Sequence, residues 1–278
     1  MKPYPETPEL ANAHEAVLSS GHLWLREYVC GHRMRFQMSS SGLLVFGDCD
    51  RVFDDVPPPY RYAVRQVREH FDRDAFYDAV DDPSAFVFFG VAPCNLGVEY
   101  EWGRTPAFLG HGIWNEGSER LLPIEKAEQV FERLGIDPVN TFQKEVNVRD
   151  FHPDRYDIPP SAWYDGPAAG VLVENRRGGS AILRNVGVEE AETADPIRDT
   201  SSEGVAELVT EPRINRAVER IESLDKAVTT TEVQTRVFEM IVREEYARLD
   251  AGNADLDAVR SAIGSIVSEK LGTESWDE

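Results

Sequence analysis

The sequence predicts an α+β protein: a domain of mainly antiparallel sheet with flanking helices over residues 1–190, then a small all-helical domain over residues 205–278. Three observations predict it. Apolar runs of strand length come in pairs joined by turn-forming residues, as at Ser39-Ser40-Ser41-Gly42 and Arg176-Arg177-Gly178-Gly179. Stretches with apolar residues at helical spacing lie between these pairs. Past Asn185 the character changes, first to an acidic, polar stretch over Val188–Gly204 that reads as a linker, then to three helical patterns.

Taken in order, Ala11–Ser19 follows a proline-punctuated start and reads as a short helix. Leu23–Val29, Met34–Met38 and Leu43–Phe46 read as strands, the last two joined as a hairpin. Pro57-Pro58-Pro59 opens a helix over Tyr60–Phe71, in which Tyr60, Val64, Val67 and Phe71 fall on one face, and Asp74–Val80 forms another. Phe86–Gly90 reads as a buried strand, as does Ala107–Trp114 despite its glycines. Ile124–Leu134 is a helix ended by Gly135. Glu145–His152 holds Glu, Asp and His close together but has no nucleophile beside it and reads as a loop. Gly170–Asn175 and Ser180–Asn185 flank the Arg176–Gly179 turn. Thr210-Glu-Pro-Arg opens a helix with Ile214, Val218 and Ile221 on one face, Thr229–Leu249 gives a second, and Asp255–Leu271 gives a third.

Composition narrows the function classes. Fifty acidic residues face 29 basic ones, a net charge of −21, where a nucleic-acid binder usually shows the opposite balance. Only five of the basic residues are lysines. An acidic, lysine-poor, arginine-retaining chain suits molar salt, where a Debye length of ~3 Å screens self-repulsion, so the charge is read as a halophile-type signature of the solvent. Cys30, Cys49 and Cys94 form no CxxC pair, which argues against a disulfide scaffold or zinc ribbon and for a reducing cytoplasm. No apolar run reaches membrane-spanning length and the N-terminus lacks a signal core, so a soluble cytoplasmic protein is expected.

One segment carries a family likeness. Glu27-Tyr28-Val29-Cys30-Gly31, with Arg33 two positions on, has the frame of the nucleotide-attachment motif Glu-Lys-x-Asp-Gly. Downstream, in the same order as in that family, come Phe46-Gly-Asp-Cys-Asp-Arg51, Phe89-Gly-Val91, Phe108-Leu-Gly-His-Gly-Ile113, Ala169-Gly-Val-Leu-Val173 and Ala181-Ile-Leu-Arg184. Each is a weak signal alone; six in order are a stronger one. From His22 to Asn185 the chain thus resembles the nucleotidyltransferase domain of ATP-dependent RNA ligases, about three fifths of the protein. The C-terminal helices look like the helical domain appended to some of those ligases.

The resemblance implies ATP and Mg²⁺ as cofactors, RNA as partner, and a lysine that attacks the α-phosphate of ATP before AMP passes to an RNA 5′-phosphate. That chemistry needs an amine nucleophile, cations to offset phosphate charge and carboxylates to hold the metal. Here Tyr28 stands at the lysine's place and Cys30 at the neighbouring carboxylate's. Cys49 stands for an arginine, with Arg51 two residues on. Val91 and Ala169 replace the two later glutamates, Ile182 the first lysine of the final strand, and His111-Gly112 the Phe-Asp pair. Within the Lys-x-Lys pair of the final strand, only Arg184 keeps a cation.

The expectation is therefore an RNA-ligase-like pseudoenzyme in which Tyr28 does not act as a nucleophile. Glu27, Gly31, Arg33, Arg51, His111 and Arg184 are the candidates for retained nucleotide or RNA binding, the arginines having ion pairs with the abundant carboxylates as their plainer role. No metal site is expected: Cys30, Cys49, Cys94 and His32 fall on pocket-lining segments of the family but lack metal-ligand spacing, and free cysteines commonly act as small buried hydrophobes. Two alternatives stand beside this reading. One is an active ligase with Lys144 or Tyr28 as substitute nucleophile. The other is a protein-interaction module built on the C-terminal helices, whose apolar faces are more simply their own core.

Overall fold

A computed structural model describes residues 1–189 and 195–273. Residues 190–194, inside the stretch expected as a linker and holding the expected domain limit at 190, lie outside the described residues, as do 274–278. The chain divides into two compact units, Met1–Pro93 with Val98–Ala191, and Cys94–Gly97 with Glu192–Glu278.

The first unit holds two antiparallel sheets. Strands β1 (His22–Glu27), β7 (Thr141–Asn147), β8 (Gly170–Asn175) and β9 (Ser180–Arg184) form one in the order β7-β1-β8-β9. Strands β2 (Gly31–Met38), β3 (Leu44–Gly47), β4 (Phe86–Pro93), β5 (Leu109–Asn115) and β6 (Arg120–Leu121) form the other in the order β3-β2-β4-β5-β6. Alternation along each strand sends one set of side chains to an outer core and the other set inward. Helix α1 (Leu10–Leu18) packs with Leu23 and Leu25 of β1, Val171 and Val173 of β8 and Ala181 of β9. Helices α2 (Pro58–His70), α3 (Arg73–Ala79) and α4 (Ile124–Arg133) cover the five-stranded sheet. Their shared core is dominated by phenylalanines: Phe36 stacks on Phe88 at 4.7 Å and meets Phe71 edge-on at 5.2 Å, and Phe131 closes on Phe88 at 5.9 Å. A short α5 (Val186–Glu189) follows β9.

The hairpins expected at Ser39–Gly42 and Arg176–Gly179 are both present. Gly42 and Gly178 hold φ of 81° and 87°, a left-handed conformation that glycine adopts without a steric penalty. Gly135 likewise ends α4 with φ 75°. Of the two glycines in the Ala107–Trp114 run, Gly110 is explained by packing, since a Cβ there would lie 2.5 Å from the Phe131 ring, whereas one on Gly112 would meet only Leu121 at 3.7 Å. The segment Glu145–His152, expected as a loop, is corrected in part. Thr141–Asn147 is strand β7, paired antiparallel to β1, with two register shifts and Glu145 at φ 57°. Those irregularities break the period-2 alternation from which a strand is read.

The second unit is helical: α6 (Ser202–Val205), α7 (Glu211–Glu222), α8 (Thr230–Glu244), α9 (Tyr246–Ala251) and α10 (Leu256–Thr273). Thr210 and Thr229 cap α7 and α8, accepting from the backbone N–H of Arg213 and Glu232. Ile214, Val218 and Ile221 are buried, as are Val259, Ile263 and Val267, so the apolar faces seen in the sequence serve a core. Arg213 bonds Glu244 at 2.8 Å and also Glu245, and Arg216 bonds Glu244 at 2.9 Å.

The helix expected over Thr229–Leu249 is broken at Glu245, and the break has a physical cause. The N–H of Asn95 donates to the carbonyl of Arg243, and the N–H of Ala247 donates to the carbonyl of Asn95. One residue from a distant loop is thereby inserted between an i and i+4 pair of the helix ladder.

Candidate active site

Between the inward faces of the two sheets in the first unit lies a cavity of about 60 Å³. Its wall takes Glu27, Tyr28 and Val29 from the end of β1, Gly31 and Arg33 from β2, Val91 from β4, His111 from β5, Val139, Leu172 from β8, Ile182 from β9, and Tyr4 and Thr7 from the N-terminal segment. Five of the six family-like motifs, spread over about 160 residues, thus converge, because the antiparallel pairings bring the ends of β1, β2, β4 and β5 together, while Phe46–Arg51 contributes nothing to the wall.

Glu27 is 1 % exposed and its carboxylate is fully engaged. It accepts from the Ser161 hydroxyl at 2.6 Å, the Asn140 amide at 3.0 Å and the Ala162 N–H at 3.1 Å. Burial raises its pKa and outweighs these three bonds, which favour the charged form. The side chain works as a clip between β1 and two loops. Gly31 is required by packing, since a Cβ there would lie 2.3 Å from the carbonyl oxygen of Ala92 on the neighbouring strand.

Tyr28 packs in an apolar cluster with Val29, Tyr100, Leu109 and Ala169, and the Arg184 guanidinium sits 5.2 Å over its ring. Burial, joined by nearby Cys30, raises the phenol's pKa against the opposing pull of Arg184 and Arg33. Burial thus favours the protonated phenol at this position.

His111 is the extra residue of a β-bulge. Phe89 pairs with Gly112 and Gly90 with Gly110, leaving His111 unmatched and turned inward. Its Nε2 lies 3.2 Å from Glu174, its Nδ1 lies 3.3 Å from the Tyr4 hydroxyl, and its carbonyl accepts from Arg26 at 2.8 Å. Arg26, 1 % exposed, also pairs with Glu174 at 3.1 Å. Burial alone would raise the pKa of Glu174, but the neighbouring His111 and Arg26 prevail and hold it at about 2.

Two further arginines share the inward face of β2. Arg33 donates to the carbonyl of Thr7 at 3.3 Å, and the buried Arg35 donates to the carbonyl of Lys2 at 2.6 Å. Arg184 pairs with Glu9 at 2.5 Å. Of the sequence candidates, Glu27, Tyr28, Gly31, Arg33 and His111 meet at the cavity and Arg184 borders it. Arg51 does not join them: it points to solvent and pairs with Asp48 at 3.2 Å. Lys144, weighed as a substitute nucleophile, lies on β7 against Glu128 at 2.9 Å and over the Trp24 ring, away from the cavity wall. Cys94 belongs to the helical unit.

Sequence reasoning missed Tyr4, Thr7, Glu9, Arg26 and Glu174. The first three had a legible signal in Pro3, Pro5 and Pro8, which hold a segment extended. Arg26 and Glu174 had none, since a charge inside a strand pattern reads as solvated.

A divalent cation does not fit this donor set, and ATP does not fit the cavity while Tyr4 and Thr7 line it. The carboxylates nearest the cavity, Glu27, Glu174 and Glu9, are each committed to protein partners. Among the described residues no group of three or more His, Cys, Asp or Glu side chains is placed to hold a metal ion. A cavity of about 60 Å³ takes about two waters at ~30 Å³ each, while small-molecule sites run to about 300 Å³ or more.

No helix among the described residues is long and apolar enough to cross a membrane. Neither a protein-family model nor a curated protein sequence matches the chain. Solved structures do. An archaeal ATP-dependent RNA ligase superposes with a TM-score of 0.53 at 16% identity, covering 98% of this chain and 74% of that one. A Naegleria gruberi RNA ligase variant with ATP and Mn superposes with a TM-score of 0.52 at 9% identity, covering 68% of this chain and 57% of that one. Such identities speak for architecture: two antiparallel sheets with flanking helices, and a helical C-terminal region, give this chain an RNA-ligase-like nucleotidyltransferase fold.

Proposed function

We propose that this chain is a ligase-fold pseudoenzyme that forms no covalent adenylate and keeps an arginine-lined cleft for a phosphorylated ligand, a nucleotide or an RNA end. One observation carries the reading: at the position of the attachment lysine stands Tyr28, packed among apolar side chains with a raised pKa, beside Val91 and Ile182 in the same wall. An amine, a metal-binding carboxylate pair and space for a triphosphate are all needed for lysine adenylylation. Arg33 in the cavity wall, with Arg35 and Arg184 on the strands beside it, would supply the opposite, retained half of the chemistry, cations for a phosphate. RNA and nucleotides are the ligand classes favoured by likeness to ATP-dependent RNA ligases. An acidic, lysine-poor composition and three free thiols support work in a salt-rich, reducing compartment.

The test is incubation of the purified protein with α-labelled ATP and Mg²⁺ or Mn²⁺ in concentrated KCl. No acid-stable label on the protein is expected. A phosphoramidate-linked AMP adduct, or joining of a 5′-phosphorylated RNA lost on a single substitution, would overturn the proposal.

A further inference from the structure

The cleft is already filled by the protein itself. Residues 2–9 cross it as an extended strap, kept straight by Pro3, Pro5 and Pro8. Backbone bonds fix both ends: the N–H of Tyr4 donates to the carbonyl of Cys49 at 3.1 Å, and the N–H of Ile182 donates to the carbonyl of Pro8 at 2.9 Å. Glu9 bridges to Ile182 in parallel fashion. Between these points the Tyr4 ring enters the cavity wall, edge-on to Phe89 at 5.1 Å and stacked on His111 at 6.1 Å, with the Arg33 guanidinium 5.5 Å above it. Lys2 lies 4.2 Å over the Trp114 ring.

What the strap offers the cleft is chemically specific. Each of its polar contacts to an arginine replaces an anionic oxygen: the carbonyl of Lys2 for Arg35, the carbonyl of Thr7 for Arg33, and the carboxylate of Glu9 for Arg184. Three arginines from two facing sheets are thereby met by one short segment, and an aromatic ring lies between them. Arg35, 1 % exposed, is a cation that needs such a partner to stay buried. An oligophosphate presents oxygens of the same accepting kind with more charge, and can take over these arginine contacts in part.

We infer that residues 2–9 are a built-in competitor for the cleft: an oligophosphate ligand gains Arg33, Arg35 and Arg184 only as the strap leaves. This rests on the reading of the cleft as a phosphate site. The strap is bounded on its C-terminal side by α1, which starts at Leu10, so its release leaves that helix in place. Because a closed strap lowers the competent fraction, apparent affinity falls in proportion, and weakening the strap restores it.

The experiment measures binding of inorganic triphosphate, and separately of ATP, to the full chain by calorimetry at one fixed KCl concentration. Tyr4→Ala and Glu9→Gln, each in the full chain, are expected to bind about 10- to 100-fold more tightly than the unsubstituted protein. Hydrogen exchange supplies a readout that needs no substitution. Saturating triphosphate should speed exchange of the Tyr4 amide while the Gly170–Asn175 strand stays protected. Equal affinities in all three proteins, or binding that leaves the Tyr4 amide protected, overturns the strap. Absence of binding by any of them also overturns it, and then removes the phosphate-binding half of the proposed function as well. An AMP adduct on the protein would instead sink the pseudoenzyme reading while leaving the strap standing.

Discussion

Replacing Glu174 by glutamine tests the electrostatic design of the inward faces. Glu174 is the counter-ion of Arg26 and faces His111, with the Tyr4 hydroxyl on the far side of that ring. Its pKa of about 2 lies roughly 2.5 units below the ordinary 4.5, which corresponds to about 3 kcal/mol of folded-state stability at neutral pH. The sign follows from the depressed folded value. The contribution is complete above pH 4.5, where the unfolded carboxyl is also ionised, and is lost as pH falls towards 2. More than half is gone by about pH 3. Removing the charge by substitution leaves Arg26 buried with carbonyl partners but without its counter-ion, for which losses of about 3–5 kcal/mol are usual, so the two routes agree. Urea unfolding of the Glu174→Gln and unsubstituted proteins in concentrated KCl, from pH 7 to pH 3, measures the difference directly. Taking a difference cancels the titration of the other carboxylates. A gap near 3 kcal/mol at pH 7 that narrows on acidification is expected. A gap below about 1 kcal/mol, or one independent of pH, would refute the assignment of Glu174 as the counter-ion that keeps Arg26 buried.

Gly110→Ala places a Cβ 2.5 Å from the Phe131 ring and should cost about 1–3 kcal/mol, read as a lowered Tm; an unchanged Tm would show that α4 yields freely. Tyr28→Lys should not restore adenylylation, because Val91 and the closed cleft remain; labelled AMP on that variant would mean that the missing amine was the whole defect. Raising KCl from 0.2 M to 3 M should raise Tm by screening a net charge of −21, and a Tm that falls with salt would remove the halophile-type reading.

The elements were legible where side chains repeat with a clean period. Val64 and Val67 fixed the face of α2, and the glycines of both hairpins announced their turns. Legibility failed where a distant part of the chain intervened. The backbone of Asn95, about 150 residues earlier, splits the helix expected over Thr229–Leu249, and no local pattern encodes that insertion. Strand β7 was hidden by its own irregular pairing around Glu145. At the site, five of the seven candidate positions meet at the cavity because motif order follows strand order, whereas Arg51 was placed by its offset from Cys49 and falls on an exposed turn. Arg26 and Glu174 stayed invisible because two buried charges are tolerated only together, a fact that neither strand shows alone.

The frame around Tyr28 and the residue itself answer to different physical demands. Glu27 is held by three hydrogen bonds that join β1 to its neighbours, and Gly31 by the approach of Ala92, so both are needed for the fold whether or not a nucleotide ever binds. A lysine at position 28 would have no such structural role; its amine would have to share the space with Arg184, 5.2 Å over the present ring. Exchange for an aromatic removes that like-charge conflict and adds a cation–π contact. Tyr4 and Glu9 then complete what the substitution begins, supplying the ring and the carboxylate that the inward arginines would otherwise take from a ligand. On the proposed reading Glu27 and Gly31 serve as a strand joint, and the arginines are partnered by the segment that covers them.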